Sequence, residues 1–170
     1  MRRSLLILTI LLALCGCRRS GTVTPEVTGT TPDEEYLMGI NRDIVRNEAT
    51  NIRLLVRRYG WEMETTPSGV YYQIVSEGKG EPVRRGEMVR LRCRITLLDG
   101  STVYDSDKDG IKEVIVEHSD EPAGLQEALQ LMRHGDKANL IVPSHMAYGS
   151  IGDGDRIPGF SPLVYQLEIE

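Results

Sequence analysis

Ala147-Tyr-Gly-Ser-Ile-Gly-Asp-Gly-Asp-Arg-Ile-Pro-Gly-Phe160 is a glycine-rich loop that opens on a tyrosine and closes on an Ile-Pro turn. The apolar run Leu163 to Glu168 follows it at once and reads as a strand. A long, glycine-punctuated loop held against a strand is where ordered domains carry their binding groups. The strands that support it lie upstream. Met88 to Leu98 alternates, with Val89, Leu91, Cys93, Ile95 and Leu97 on one face and Arg90, Arg92, Arg94 and Thr96 on the other. Period-two alternation predicts a half-buried antiparallel strand. Asp99-Gly100 is a hairpin signal, and Thr102 to Asp105 is the return strand.

Further strands are expected over Val70–Val75, Glu113–Glu117 and Lys137–Val142. Gly124 to Met132 has helical spacing through Leu125, Leu129 and Met132, with Gly135 as its expected cap. Many strands around one short helix, without βαβ alternation, indicate an α+β fold with a curved antiparallel sheet.

The N-terminal part is organised differently. Arg2 and Arg3 precede the apolar run Leu5–Leu14, which has the length of a signal-peptide core. It ends in Leu14-Cys15-Gly16-Cys17, which is similar to the lipobox of bacterial lipoproteins. That similarity implies a signal peptide over 1–16 and lipidation of Cys17. The formal charge of the 170-residue chain is −5, and loss of Arg2 and Arg3 takes it to −7. With Cys17 acylated, Cys93 is the free thiol, and its place in an alternating strand makes packing its role. Residues 17–31 read as a flexible tether rich in Thr, Gly and Pro.

Thr31-Pro32-Asp33-Glu34 then carries a capping box, and Leu37, Ile40, Ile44, Ile52, Leu55 and Val56 recur at helical spacing. One amphipathic helix is expected over 32–59, with Asn47 the candidate point for a break and Gly60 the stop. Packing on the domain is favoured over dimerisation, because the stripe is not a strict heptad.

Acidic balance and the lack of clustered Lys/Arg with interleaved aromatics exclude a general nucleic-acid binder. His118, His134 and His145 have no metal-ligand spacing, and no metal or cofactor is called for.

Six segments in order resemble one family. They are Ser68–Tyr72, Arg84–Val89, Leu97–Gly100, Val103–Ser106, Gly124–Met132, and Lys137–Pro143 with Ala147–Gly149. Together, over about residues 64–170, they resemble FKBP-type peptidyl-prolyl isomerases. The N-terminal helical stretch makes the chain similar to gliding-motility lipoproteins of Bacteroidetes that carry such a domain.

The resemblance implies rotation of X-Pro bonds with no cofactor, prolyl peptide segments as partners, and macrolides as inhibitors. It implies a cell-envelope location, with the outer membrane preferred because Arg18 follows Cys17. By position it makes Tyr104, Asp105 and Tyr148 the catalytic set. Cys93, Pro122, Leu125, Ile157 and Tyr165 would join Tyr104, Asp105 and Tyr148 in lining the substrate site. Tyr148 would donate its hydroxyl to a peptide carbonyl.

Four departures stand out. Leu125 replaces the usual Trp floor, and Cys93 a strand tyrosine. Glu121-Pro122 replaces a Val-Ile pair whose backbone and side chain meet the ligand. Lys108 to Asp120 lacks the usual Phe. The alternative reading is a catalytically weak binding module in an envelope complex.

Overall fold

β3, Met88–Thr96, forms where the alternation is cleanest, with Val89, Leu91, Cys93 and Ile95 buried and the arginines between them exposed. The structure is a computed structural model that describes residues 32–170. The signal segment 1–16, Cys17, the tether 17–31 and the Thr31 cap lie outside the described residues. The chain divides into two units, Met1–Met38 and Gly39–Glu170, and all elements after the first helix belong to the second.

In chain order the elements are α1 (Pro32–Tyr59), β1 (Glu64–Thr65), β2 (Tyr71–Ser76), β3, β4 (Thr102–Asp105), α2 (Ser106–Asp109), β5 (Lys112–Ile115), α3 (Ala123–Leu129), β6 (Lys137–Val142), a 3₁₀ turn (Ser144–Met146) and β7 (Leu163–Ile169). The strands make one antiparallel sheet in the order β1-β2-β6-β7-β3-β4, with β5 also paired to β3. The α+β reading therefore holds, with a sheet that curves round one central helix.

β3 organises the site. One edge pairs with β7 from Leu91 to Thr96. Its other edge is shared: Met88–Leu91 pair with β5 and Arg94–Thr96 with β4. Cys93 sits in the gap between those ladders. Ser106 fills it, accepting from the Cys93 N–H at 2.7 Å and donating to the Cys93 carbonyl at 3.0 Å. A side chain thus satisfies backbone groups where the partner strand turns away into α2.

Two apolar clusters lie on opposite faces. The larger holds Val89, Leu91, Cys93, Ile95, Leu125, Leu129, Leu140, Ile157 and Tyr165 around α3. The smaller joins Ile52 and Leu55 of α1 to Ile141 and Val164 of the sheet, with Trp61, Met63 and Tyr71 at its margin. Alternation explains the split, because Ile141 follows Leu140 and Val164 precedes Tyr165.

α1 runs unbroken through Asn47. Gly60 (φ 63°) ends it, its N–H reaching the Arg57 carbonyl and that of Trp61 the Val56 carbonyl. Glu48 accepts hydrogen bonds from the N–H and the hydroxyl of Ser144, which ties the helix to the turn before Tyr148.

β3 ends at Thr96, two residues before the expected Leu98, where the chain enters the turn, and two other elements differ from expectation. α3 stops at Leu129 rather than Met132, because Gln130, Leu131 and Met132 close onto residues three back and tighten the last turn. β5 begins at Lys112 and ends at Ile115, and Glu117 takes a left-handed φ of 62°, which no strand continues through.

Candidate active site

The loop that follows Tyr148 is built by close backbone approach. A Cβ on Gly152 (φ 80°) would stand 2.0 Å from the Ile157 carbonyl oxygen, and one on Gly159 2.1 Å from that of Ser150. Asp153 locks the interior. Its Oδ1 accepts the N–H groups of Asp155, Arg156 and Ile157 at 2.9, 3.0 and 2.8 Å. Its Oδ2 accepts the Tyr104 hydroxyl at 2.7 Å. That bond, before burial and the Asp153 charge, pushes the Tyr104 phenol well above its ordinary pKa.

Arg156 lies 4.7 Å from the centre of the Tyr104 ring and donates to the Val103 carbonyl and to Asp109 at 3.0 and 2.9 Å. The loop and β4 are therefore clamped together through Tyr104.

Asp105 ends β4 and caps α2. Its Oδ1 accepts from the Asp107 N–H at 3.1 Å and its Oδ2 from Arg94 Nε at 3.0 Å. The Asp107 N–H and then Arg94 hold its carboxyl below the ordinary carboxylate range. Both oxygens are engaged, so Asp105 serves to fix Tyr104 and α2.

Cys93, Tyr104, Asp105, Asp109, Ile111 and Lys112 line a cavity of about 260 Å³. Cys93 is buried, and burial raises its thiol pKa, which fits packing and not nucleophilic chemistry.

Tyr148 is half-buried and, like Tyr104, packs against the main core. Burial first, then Glu121 and Asp153, push its phenol up to about 12. Among the described residues its hydroxyl takes no hydrogen-bond partner, which leaves a neutral donor free. Ile157, Leu125 and Tyr165 are 4%, 0% and 1% exposed and belong to the core on which both tyrosines pack.

Tyr165 is sealed, and its hydroxyl has no partner among the described residues. Burial pushes that phenol far up, with Tyr148, Glu121 and Cys93 adding to it. A buried hydroxyl without a partner costs about 1–3 kcal/mol. Tyr165→Phe is accordingly expected to raise stability by about 1 kcal/mol in urea unfolding. A destabilised variant would mean that the hydroxyl is paired after all.

The sequence-assigned residues thus fall into two groups. Cys93, Tyr104 and Asp105 line the cavity, whereas Leu125, Ile157 and Tyr165 form the buried cluster under the tyrosines. Pro122 is buried at the start of α3 and has no N–H to offer a ligand. Three charged groups around Tyr104 are not evident from sequence: Asp153, Arg156 and Lys112. Glu121, a charge expected at the pocket rim, pairs with Lys112. The Asp-Gly-Asp-Arg run was the one available signal, since Asp side chains accept local N–H groups in loops.

The chain is similar to known proteins over this same region. It is 36% identical over 107 residues to a macrophage infectivity potentiator of Trypanosoma cruzi, covering 61% of this chain and 53% of that protein. It is 33% identical over 103 residues to the outer membrane protein MIP of Legionella longbeachae, covering 61% and 44%. The chain therefore spans about half the length of the curated relatives it matches.

A crystal structure of a peptidyl-prolyl cis-trans isomerase from Pseudomonas syringae pv. tomato superposes with a TM-score of 0.64 at 26% identity, covering 75% of this chain and 92% of that one. The family described as FKBP-type peptidyl-prolyl cis-trans isomerase matches residues 79–170, from the turn after β2 to the end of β7. By that match, and by the sheet, helix and tyrosine loop already described, this chain belongs to the FKBP-type peptidyl-prolyl cis-trans isomerase family.

Proposed function

We propose that the chain catalyses cis/trans rotation of X-Pro bonds in extracytoplasmic proteins while held to the envelope by a lipid on Cys17. The observation that carries the catalytic part is the protonated Tyr148 hydroxyl, without a hydrogen-bond partner among the described residues, on the apolar cluster of Ile157, Leu125 and Tyr165 against which Tyr104 also packs.

Rotation about an amide faces a barrier of ~18–20 kcal/mol from its partial double bond. The twisted state has less charge separation than the planar amide, so an apolar seat favours it. A hydroxyl donor on a substrate carbonyl fixes the peptide for the turn. Interactions made better with the twisted peptide than with either planar form lower the barrier. Unaided isomerisation takes tens to hundreds of seconds, slow enough to limit folding.

The pH dependence tests this mechanism. The Tyr148 phenol is held up to about 12 and the Asp105 carboxyl is held low. Raising the first keeps the donor protonated, and lowering the second keeps the carboxylate charged. Neither titrates between about pH 5.5 and 9, so kcat/KM should be flat there in a protease-coupled prolyl assay. A bell-shaped profile inside that window would contradict the assignment.

The envelope placement rests on the signal-like N-terminus and on the relative named an outer membrane protein. Labelled fatty acid should enter the wild-type chain and not a Cys17→Ser variant, and membrane fractionation would place the labelled form. A second reading, a binding module with slow turnover in an envelope or motility complex, is favoured by Pro122. A proline there removes a backbone donor from the pocket wall. Macrolide binding is proposed to be weak on the same ground, with Leu125 supplying less surface than a large aromatic floor.

A further inference from the structure

Arg94 and Asp105 stand opposite each other across the β3–β4 hairpin, so their side chains leave the sheet on the same side. Tyr104 leaves it on the other side, opposite Ile95, which is buried in the main core. Arg94 therefore lies on the polar face of the sheet. There Arg92, Arg94, Asp107, Lys137, Asn139 and Gln166 line a cavity of about 300 Å³. Asp105 borders that cavity and also the one of about 260 Å³ that Tyr104 lines. The end of β4 is thus shared between the polar face and the candidate site.

Among the described residues the Asp105 carboxylate accepts from two donors, the Asp107 N–H at 3.1 Å and Arg94 Nε at 3.0 Å. Cys93, the residue before Arg94, gives it none; its thiol lies 3.8 Å from the Ser106 hydroxyl. The neighbouring charges are engaged elsewhere. Asp107 pairs with Arg92, Asp109 with Arg156, and Lys112 with Glu121. Lys108 of α2 adds positive charge without a bond to the carboxylate. Arg94 is therefore the side-chain cation bonded to Asp105 among the described residues.

An ion pair between two exposed side chains contributes little. This pair is asymmetric: the Arg94 side chain is 52% exposed and that of Asp105 11%. Without Arg94, Oδ2 becomes a sheltered carboxylate oxygen with no donor, which is costly. The carboxylate relieves that cost by taking a proton or by turning toward water, and a turn drags the end of β4 with it. Tyr104 precedes Asp105, and its hydroxyl is fixed by Asp153. The end of β4 is thus held at two points, Tyr104 by the loop and Asp105 by Arg94.

We propose that Arg94 is a positioning residue for prolyl rotation: from the polar face of the sheet it holds the Asp105 carboxylate, and with it the Tyr104 end of β4, in the geometry the prolyl seat needs. The proposal rests on the isomerase reading for the reaction itself, while the Arg94–Asp105 bond is independent of turnover.

The test compares the whole chain with Arg94→Met, Arg94→Lys and Arg90→Met. Methionine keeps much of the apolar stem and removes the donor. Lysine keeps the charge and a donor without the planar fork. Arg90, on the same face of β3, pairs with Glu113 and Glu170 and borders neither cavity, so it is the control. Carboxyl NMR titration follows Asp105. Exchange spectroscopy on Ala-Phe-Pro-Ala gives kcat/KM, and chemical-shift titration gives Kd. Arg94→Met should move the Asp105 titration upward and lower kcat/KM about tenfold at pH 7. Arg94→Lys should recover more than half of both changes. Arg90→Met should stay within about twofold of the wild type. Arg94→Gln, shorter and uncharged, replaces the Met variant if that one does not fold, with the same two changes expected.

An unmoved Asp105 titration, a kcat/KM within twofold of the wild type, a loss that Arg94→Lys does not rescue, or an equal loss in Arg90→Met would overturn the proposal. A wild type that binds the peptide without accelerating its exchange would refute the isomerase reading instead. The same ranking of the variants is then required of Kd, and its absence would overturn the positioning role as well.

Discussion

Gly152→Ala is expected to cost about 3 kcal/mol of stability and to lower the thermal midpoint by ~10 °C. Two effects combine. A left-handed φ of 80° costs an L-residue about 1–2 kcal/mol. The added Cβ would also lie 2.0 Å from the Ile157 carbonyl oxygen, a backbone atom that moves only if the loop opens. Opening it lifts Ile157 from its buried seat and shifts Asp153, which holds the Tyr104 hydroxyl. Prolyl isomerase activity should therefore fall by about tenfold or more, since misplaced contact groups cost activity steeply. Gly154→Ala is the control. Gly154 has nearly the same φ, 78°, and open space where its Cβ would go. It should lose only about 1 kcal/mol. Equal losses in the two variants would show that the Gly152 backbone approach is not what shapes the loop.

Ile52→Ala should destabilise the protein by about 2–5 kcal/mol. Ile52 is 1% exposed and packs with Leu55 on Ile141 and Val164 of the sheet. Truncation loses the transfer free energy of the removed carbons and leaves a cavity between helix and sheet. Leu54, two residues along and 57% exposed, is the matched comparison, and its change to Ala should stay within about 0.5 kcal/mol. Urea midpoints for the two variants decide the matter. Equal effects would mean that the second half of α1 does not pack on the sheet in solution. The domain should therefore be handled with its helix. Removing α1 uncovers Ile141 and Val164 and deletes the Glu48 contacts to Ser144, just before the tyrosine loop.

What could be read in advance follows from the range of each interaction. The β3 alternation, the Asp99-Gly100 hairpin and the Gly60 stop are local patterns whose cause lies within a few residues, and each appears where its spacing puts it. The early end of α3 was not legible, because Met132 has the right spacing for the helix and is buried in the turn that follows it. The short α2 and the two-residue β1 carry no periodicity to detect.

The site divides in the same way. Tyr104, Asp105 and Cys93 meet because β3 and β4 are hairpin partners. The Asp153 bond to Tyr104 spans 49 residues, and the Lys112–Glu121 pair forms across a strand and a loop. Both depend on tertiary placement that no local pattern encodes. Leu125, placed at the pocket floor by position, is fully buried in the core cluster against which Tyr104 and Tyr148 pack, a depth that its helical spacing with Leu129 already suggests.

Turnover of prolyl bonds in this pocket is the decisive property. NMR exchange spectroscopy on a short Xaa-Pro peptide with a catalytic amount of the chain measures that directly. The geometry predicts cis/trans cross-peaks at mixing times far shorter than the tens of seconds of the unaided reaction, and their loss when Tyr148 and Tyr104 are both changed to Ala. An exchange rate equal to that of the peptide alone, at a concentration where binding shifts are saturated, would contradict it.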